Sequence, residues 1–352
     1  MKLKELETPA LVVDLDALEQ NIARMGQIMS SSKAKLRPHY KSHKCVEIAK
    51  MQIAAGAKGI TCAKLSEAEG LIEAGIEDVL IANQVVQPSK VLRLAALAKK
   101  CRLTVCVDCE ENVDAISQAA QMMGSTVHCY VEYDVGMNRC GVYSFEDFYR
   151  IAKHIMACKN LTFDGIQAYA GQLSHKDLQI RVPGVEQVER TLRELKAYLE
   201  ERGIQVQQIS GGSTGTVEMK AAHGIYTEIQ AGSYLFSDTS YGRFGLPFQN
   251  ALFVLSTVIS KNPKTVVVDA GIKSFGVDQT PPYPVKNPSL QIKLHEEHCA
   301  IFQENSKLQI GEQVAFYPGH CCTTVNLYDY LYLARGEVVV DRIPVTGRGK
   351  NQ

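Results

Sequence analysis

The sequence has no tryptophan, no net charge and no long apolar run. Its 38 Lys and Arg balance its 38 Asp and Glu, which argues against a general nucleic-acid or polyanion binder. No apolar segment approaches the roughly 20 residues that a membrane-spanning helix needs. The first ten residues, MKLKELETPA, contain no hydrophobic stretch, so no secretory signal is expected. Low-complexity segments, long linkers and short repeats are also missing. Hydrophobic residues make up 45% of the 352, which excludes a disordered chain and suits one large domain plus a smaller one. The eleven cysteines are scattered, and Cys101, Cys106 and Cys129 sit within apolar runs. They read as reduced thiols of a cytoplasmic protein.

Short apolar, β-prone runs alternate with amphipathic stretches. Eight runs fit strands: 34–38, 59–63, 78–83, 103–108, 127–134, 163–169, 206–210 and 226–231. Helical patterns lie between them, as at 45–55, 66–74, 89–100 and 185–201. An earlier run, 10–14, precedes a helical pattern at 15–30. Such alternation implies parallel strands joined by crossover helices. An open doubly wound sheet would give the same alternation. The polar, glycine-rich segments fall just after strand ends, where (β/α)8 barrels build their sites, so a TIM barrel is predicted over residues 12–245. After residue 246 the runs 251–260, 265–269, 291–294, 313–317 and 330–341 read as strands without helices. They predict a β-domain over 246–352, joined by residues 1–11.

Three segments are candidates for chemistry. The first, Arg37-Pro38-His39-Tyr40-Lys41-Ser42-His43-Lys44, is dense in polar groups at a strand end. A lysine there can act as an amine nucleophile and form a Schiff base with a carbonyl cofactor, although a basic surface loop would look alike. The second, Ser210-Gly211-Gly212-Ser213-Thr214-Gly215-Thr216, follows the seventh strand. Backbone N–H groups and hydroxyls of this kind cradle phosphate, and barrels commonly bind phosphate after strands seven and eight. A plain turn is the competing reading, and no Walker lysine follows. In the third, Gly319-His320-Cys321-Cys322-Thr323-Thr324, an extended chain would point His320 and Cys322 the same way. Imidazole and thiolate together favour zinc; buried thiols beside a structural histidine are the alternative. Cys106 and Cys109 have redox-motif spacing, but placement at a strand end rather than a helix N-terminus reads as structural. His175 is a possible general base or a surface histidine. Arg139 is a possible cofactor or carboxylate contact or an ordinary salt-bridge partner.

Together these residues resemble the D-threonine aldolase and D-serine dehydratase family of alanine-racemase-fold enzymes. The likeness runs almost end to end through Thr8-Pro9-Ala10, Ser66-Glu67-Ala68-Glu69, Asn138-Arg139-Cys140-Gly141-Val142, Gln167-Ala168-Tyr169, the Gly211–Thr216 loop and Pro318-Gly319-His320. It implies pyridoxal 5'-phosphate on Lys41, its phosphate on Ser213, Thr214, Gly215 and Thr216, and Arg139, Tyr169 and Tyr234 as further cofactor contacts. It also implies a divalent metal on His320 and Cys322, zinc before manganese or magnesium, and His175 as the base. Gln167-Ala168-Tyr169 and Thr324-Val325-Asn326-Leu327-Tyr328-Asp329 look most like the D-threonine aldolase branch, which includes aldolases for 3-hydroxy-D-aspartate.

Two positions depart from that branch. Cys322 stands where the aldolases carry aspartate, as in D-serine dehydratases, and Ala170 replaces a histidine. The resemblance therefore implies a lyase that cleaves β-hydroxy-D-amino acids to glycine and an aldehyde, with dehydration as the nearest alternative. A racemase would need a second base and no metal. A cofactor-carrier protein would lack residues 246–352. A small-molecule D-amino acid is the expected partner, along with a second copy of the chain in a homodimer; nucleic acid and membrane are not expected.

Overall fold

The computed structural model describes residues 1–352 apart from the side chain of His223. The chain forms two compact units. One comprises Gly26–Lys41, Ile48–Gly232 and Lys350–Gln352; the other comprises Met1–Met25, Ser42–Glu47 and Ser233–Gly349.

After β1 (Ala10–Asp14) and α1 (Leu15–Ser30), strands and helices alternate: β2 (Lys35–Leu36), α2 (Val46–Ala54), β3 (Ile60–Cys62), α3 (Leu65–Glu73), β4 (Asp78–Gln84) and α4 (Pro88–Leu97). The alternation continues through β5 (Arg102–Val107), α5 (Glu110–Met123), β6 (Val127–Glu132), α6 (Phe145–Ala157), β7 (Leu161–Ala168) and α7 (Leu178–Glu200). It ends with β8 (Gln208–Gly211), α8 (Val217–His223) and β9 (Glu228–Ile229). Strands β2 to β9 are all parallel and pair in the order β2-β9-β8-β7-β6-β5-β4-β3. The ends of that path meet where Thr61 N–H donates to Pro38 O at 2.9 Å and His39 bridges Thr61. This is the predicted (β/α)8 barrel. Its strands are mostly buried because interior packing covers one face and helices the other; Leu80, Cys106 and Tyr130 form one apolar cluster, while Gln167, Ser210 and Glu228 are buried polar members.

The second unit is built on a mostly antiparallel sheet. After the short α9 (Thr239–Gly242) come β10 (Leu252–Lys261), β11 (Thr265–Val268), β12 (Tyr283–Pro284), β13 (Gln291–Leu294), β14 (Cys299–Phe302) and β15 (Gln313–Tyr317). Then follow α10 (Cys321–Val325), β16 (Tyr330–Arg335) and β17 (Val338–Pro344). Strand β1 lies between β10, antiparallel, and β16, parallel. Leu3, Leu6, Ala10, Val12, Leu255 and Ala334 pack together there.

Three expectations need correction. The single strand expected over 330–341 is a hairpin that turns at Gly336. The segment after Gly319 is not extended. His320 caps α10, because its carbonyl accepts Thr324 N–H at 3.2 Å and Thr324 Oγ1 at 2.7 Å. Cys109 does stand at a helix N-terminus, as the cap of α5. Its thiol is nevertheless held above the ordinary range, chiefly by burial, and buried Cys106 is raised well above it for the same reason, so neither is an activated thiolate.

Candidate active site

In the barrel unit, Lys41 lies in a 3₁₀ turn, Tyr40–Ser42, just past β2. Its backbone N–H donates to Nδ1 of His39 at 3.3 Å. Lys41 lines a cavity of about 210 Å³ with His39, Asn83, Arg139, Tyr169 and Gln230 among its walls. Lys41 Nζ lies 5.5 Å from the Tyr169 ring centroid, and the Arg139 guanidinium lies 5.7 Å from it. Deeper in the barrel, Gln230 Nε2 donates to Gln167 Oε1 at 2.7 Å and to Ser210 Oγ at 2.9 Å. Glu132 is buried at the end of β6 and accepts from Gln84 at 2.7 Å. Burial holds its carboxyl above the usual range, against the pull of Gln84 and Arg139.

The loops after β6, β7 and β8 are tied together. Asp134 accepts backbone N–H groups from Gly136, Met137 and Arg139, which shapes the loop that presents Arg139. Gln172 Nε2 donates across to Val135 O at 2.8 Å. Register pairs Ala168 with Gly211, so Tyr169 and Gly212 leave neighbouring strands side by side. A side chain at Gly171 would lie 2.5 Å from the Tyr169 ring, so glycine is what leaves room for that ring. Ser174 Oγ donates to Ser213 Oγ at 2.8 Å, and a Cβ on Gly215 would sit 2.1 Å from Ser174 O. The Ser213–Thr216 loop is therefore buried and tight, with Ser213 N–H donating to Thr216 Oγ1 at 3.1 Å. One helical turn on, Lys220 is fully buried with its Nζ 3.8 Å from the Tyr226 ring centroid. That nitrogen has no hydrogen-bond partner among the described residues, and burial lowers its pKa to about 7. Half-buried His175 follows Ser174, so its loop packs on the 213–216 loop; His175 does not line the Lys41 cavity.

The other unit holds a second cluster. His320 Nδ1 and Asp278 Oδ2 are 2.8 Å apart, and Thr323 Oγ1 donates to Asp278 Oδ1 at 2.6 Å. Cys322 Sγ lies 3.5 Å from Ser42 Oγ and 3.6 Å from Ser233 Oγ. Burial alone would lower the His320 pKa; its hydrogen bonds to Cys322 and Asp278 outweigh this and raise it to about 9. His320 and Cys322 do converge, because one caps α10 and the other lies in its first turn. Cys321 is buried, with its N–H donating to Asp238 Oδ2 at 2.9 Å. Tyr234 belongs to this unit, where it packs on Phe248 with centroids 5.6 Å apart. Asp278, Ser42 and Ser233 escape sequence reasoning: Asp278 sits in a Gly- and Pro-flanked loop that reads as a turn.

Comparison with known proteins agrees with this architecture. Residues 13–240 match the family described as alanine racemase, N-terminal domain, and residues 251–334 match a serine dehydratase domain. The chain belongs to this family of alanine-racemase-fold enzymes. Within it, the chain is 38% identical to 3-hydroxy-D-aspartate aldolase from Paracoccus denitrificans, over 99% of this chain and 94% of that one. The crystal structure of D-threonine aldolase from Filomicrobium marinum superposes with a TM-score of 0.97 at 34% identity, covering 100% of this chain and 98% of the other. A D-threo-3-hydroxyaspartate dehydratase variant with cysteine changed to alanine, described in its metal-free form, superposes with a TM-score of 0.88. Its identity is 26%, and 98% of each chain is covered.

Proposed function

We propose that the chain is a pyridoxal-phosphate- and metal-dependent lyase that cleaves β-hydroxy-D-amino acids, of the D-threonine and 3-hydroxy-D-aspartate type, to glycine and an aldehyde. The observation that carries this reading is the end-to-end likeness to aldolases of those substrates. Two features of the barrel unit fit the cofactor. Lys41 opens into a cavity walled by an aromatic ring and a guanidinium. The tight hydroxyl-lined loop is a setting that favours an anion, and behind it lies a buried amine with no hydrogen-bond partner among the described residues. Lys41 Nζ is the covalent attachment point. Ser213, Thr214, Gly215 and Thr216 hold the phosphate, and Arg139 and Tyr169 complete the cofactor contacts of the barrel unit. When bound, pyridoxal phosphate supplies a sink for the electron pair released from the Cα–Cβ bond.

His320 and Cys322 fit a divalent cation. They offer an imidazole Nε2 edge, with Asp278 on Nδ1 and Gln279 Nε2 3.5 Å from Nε2, and a sulfur among hydroxyls. Zinc suits this donor pair better than manganese or magnesium. Such an ion acts as a Lewis acid toward the β-hydroxyl. Ser42, a neighbour of the Cys322 sulfur, directly follows Lys41 in the chain. His175 removes the β-hydroxyl proton. His175→Ala is expected to cost about 10²-fold or more in turnover while leaving cofactor absorbance and metal content in place; unchanged turnover removes His175 from this role. Equal turnover of L-substrates would favour the racemase reading.

Cys322 supports a second reading, dehydration, in which Lys41 would take the α-proton and an ion held by His320 and Cys322 would supply Lewis acidity for loss of the β-hydroxyl. A cytoplasmic location is part of the proposal, supported by eleven cysteines of which none forms a disulfide. So is a homodimer, supported by exposed Tyr330, Val338 and Val340 on the β16–β17 hairpin.

A further inference from the structure

We propose that Asp114, His154 and Cys158 form a second divalent-cation site, selective for a borderline-soft ion such as zinc, on the helical surface of the barrel unit. His154 lies in the last turn of α6 and Cys158 caps that helix. Side chains four residues apart on a helix share a face, and Asp114 of α5 reaches the same point. His154 Nε2 and Asp114 Oδ1 are 2.7 Å apart. One ligand atom from each of the three residues lies within 4.8 Å of the other two.

The geometry needs little change to hold an ion. Zinc bonds of about 2.0–2.3 Å in a tetrahedron place ligand atoms roughly 3.3–3.8 Å apart. The edges to Cys158 must close by up to roughly 1.5 Å and the 2.7 Å His154–Asp114 edge must open by roughly 0.6 Å, within the reach of side-chain rotation for residues that are half-buried or exposed. An ion there would replace the 2.7 Å contact that now joins the imidazole and the carboxylate. The donor set is selective, because imidazole, thiolate and carboxylate together prefer zinc to magnesium or calcium. The end of α6 also favours a cation, since the last carbonyls of a helix carry partial negative charge. An ordinary surface His–Asp pair would contribute little, and it gives no reason for a thiol at the same point. Three protein donors leave a fourth position to water. An ion there links α5 to α6 and stabilises the fold by mass action. None of the three residues lines the Lys41 cavity, and all lie in the unit that lacks His320 and Cys322.

The test is titration of the full-length holoenzyme with Zn²⁺, and with Co²⁺ for its thiolate charge-transfer band. Wild type is compared with His154→Ala, Cys158→Ser and Cys322→Ala. Wild type should bind one equivalent that both His154→Ala and Cys158→Ser weaken by at least about tenfold, a loss that even outer-shell changes can cause. Turnover and cofactor absorbance should stay unchanged in those two variants. Cys322→Ala should keep this equivalent and show a melting temperature that rises with Zn²⁺; adding His154→Ala should abolish the rise. Equal stoichiometry and affinity in wild type and His154→Ala would overturn the proposal. Loss in His154→Ala without loss in Cys158→Ser would overturn the three-donor site. If Cys322→Ala keeps every equivalent while His154→Ala loses one, this site stands and the His320–Cys322 reading falls.

Discussion

Asp278 contacts the Nδ1 edge of His320, so an ion on this histidine would take Nε2, 3.5 Å from Gln279 Nε2. A carboxylate in that position fixes the tautomer and raises ligand basicity. Asp278→Ala is expected to weaken metal binding by about 10- to 100-fold, measured by titration of the holoenzyme, with cofactor absorbance retained. Wild-type affinity in that variant would remove Asp278 from the site. Lys41 is tested by borohydride reduction and peptide mapping, which should place the pyridoxyl group there and not on Lys44 or Lys64. Lys41 and Arg139 are legible in the sequence because each stands in a polar segment following a barrel strand, whereas Tyr169 enters only through the family resemblance. Asp278 is not legible, because its loop carries the Gly and Pro of any turn and meets His320 only through tertiary packing.

At the scale of elements, the carboxyl-terminal strap bears on the lysine segment. Thr346 Oγ1 accepts Val46 N–H at 3.2 Å and donates to Lys44 O at 3.2 Å. Gly347 N–H donates to the same carbonyl at 2.8 Å, and Lys44 Nζ returns a bond to Gly347 O at 3.3 Å. Thr346 thus caps α2 from 300 residues away, and it holds Lys44 in a left-handed conformation, φ +51°. Thr346→Val should lower stability by about 1–3 kcal/mol, since it strands a helix-terminal N–H. A denaturant midpoint equal to wild type would contradict the strap's role. The central barrel strands were readable because buried parallel strands carry short β-prone runs such as Val79–Ile81, Leu103–Val107 and Val127–Val131. The α10 segment misled because its β-branched Thr323, Thr324 and Val325 look strand-like, whereas capping by His320 and the Asp238 contact make it helical.

Over the whole barrel, one buried charge network spans distant strands. Arg37 binds Asp78 at 2.7 Å and Glu228 at 2.9 Å, Lys58 binds Glu228 at 2.6 Å, and Tyr130 donates to Glu228 at 3.1 Å. Burial would raise the Glu228 pKa, but Arg37 and Lys58 prevail and hold it at about 2, below its ordinary 4.5. Because the folded value is depressed, this contribution is fully present above about pH 4.5 and is lost as pH falls toward 2. It amounts to about 3 kcal/mol. Unfolding free energies measured from pH 6 to pH 2 should fall more steeply for wild type than for Glu228→Gln, by about that amount; parallel curves would contradict the assignment.

The reaction is the central claim, and product analysis of the purified holoenzyme with D-threonine tests it most directly. Glycine and acetaldehyde in equal amounts, with no turnover of L-threonine, are the expected result. Formation of 2-oxobutyrate and ammonia instead would contradict the aldolase reading and establish dehydration.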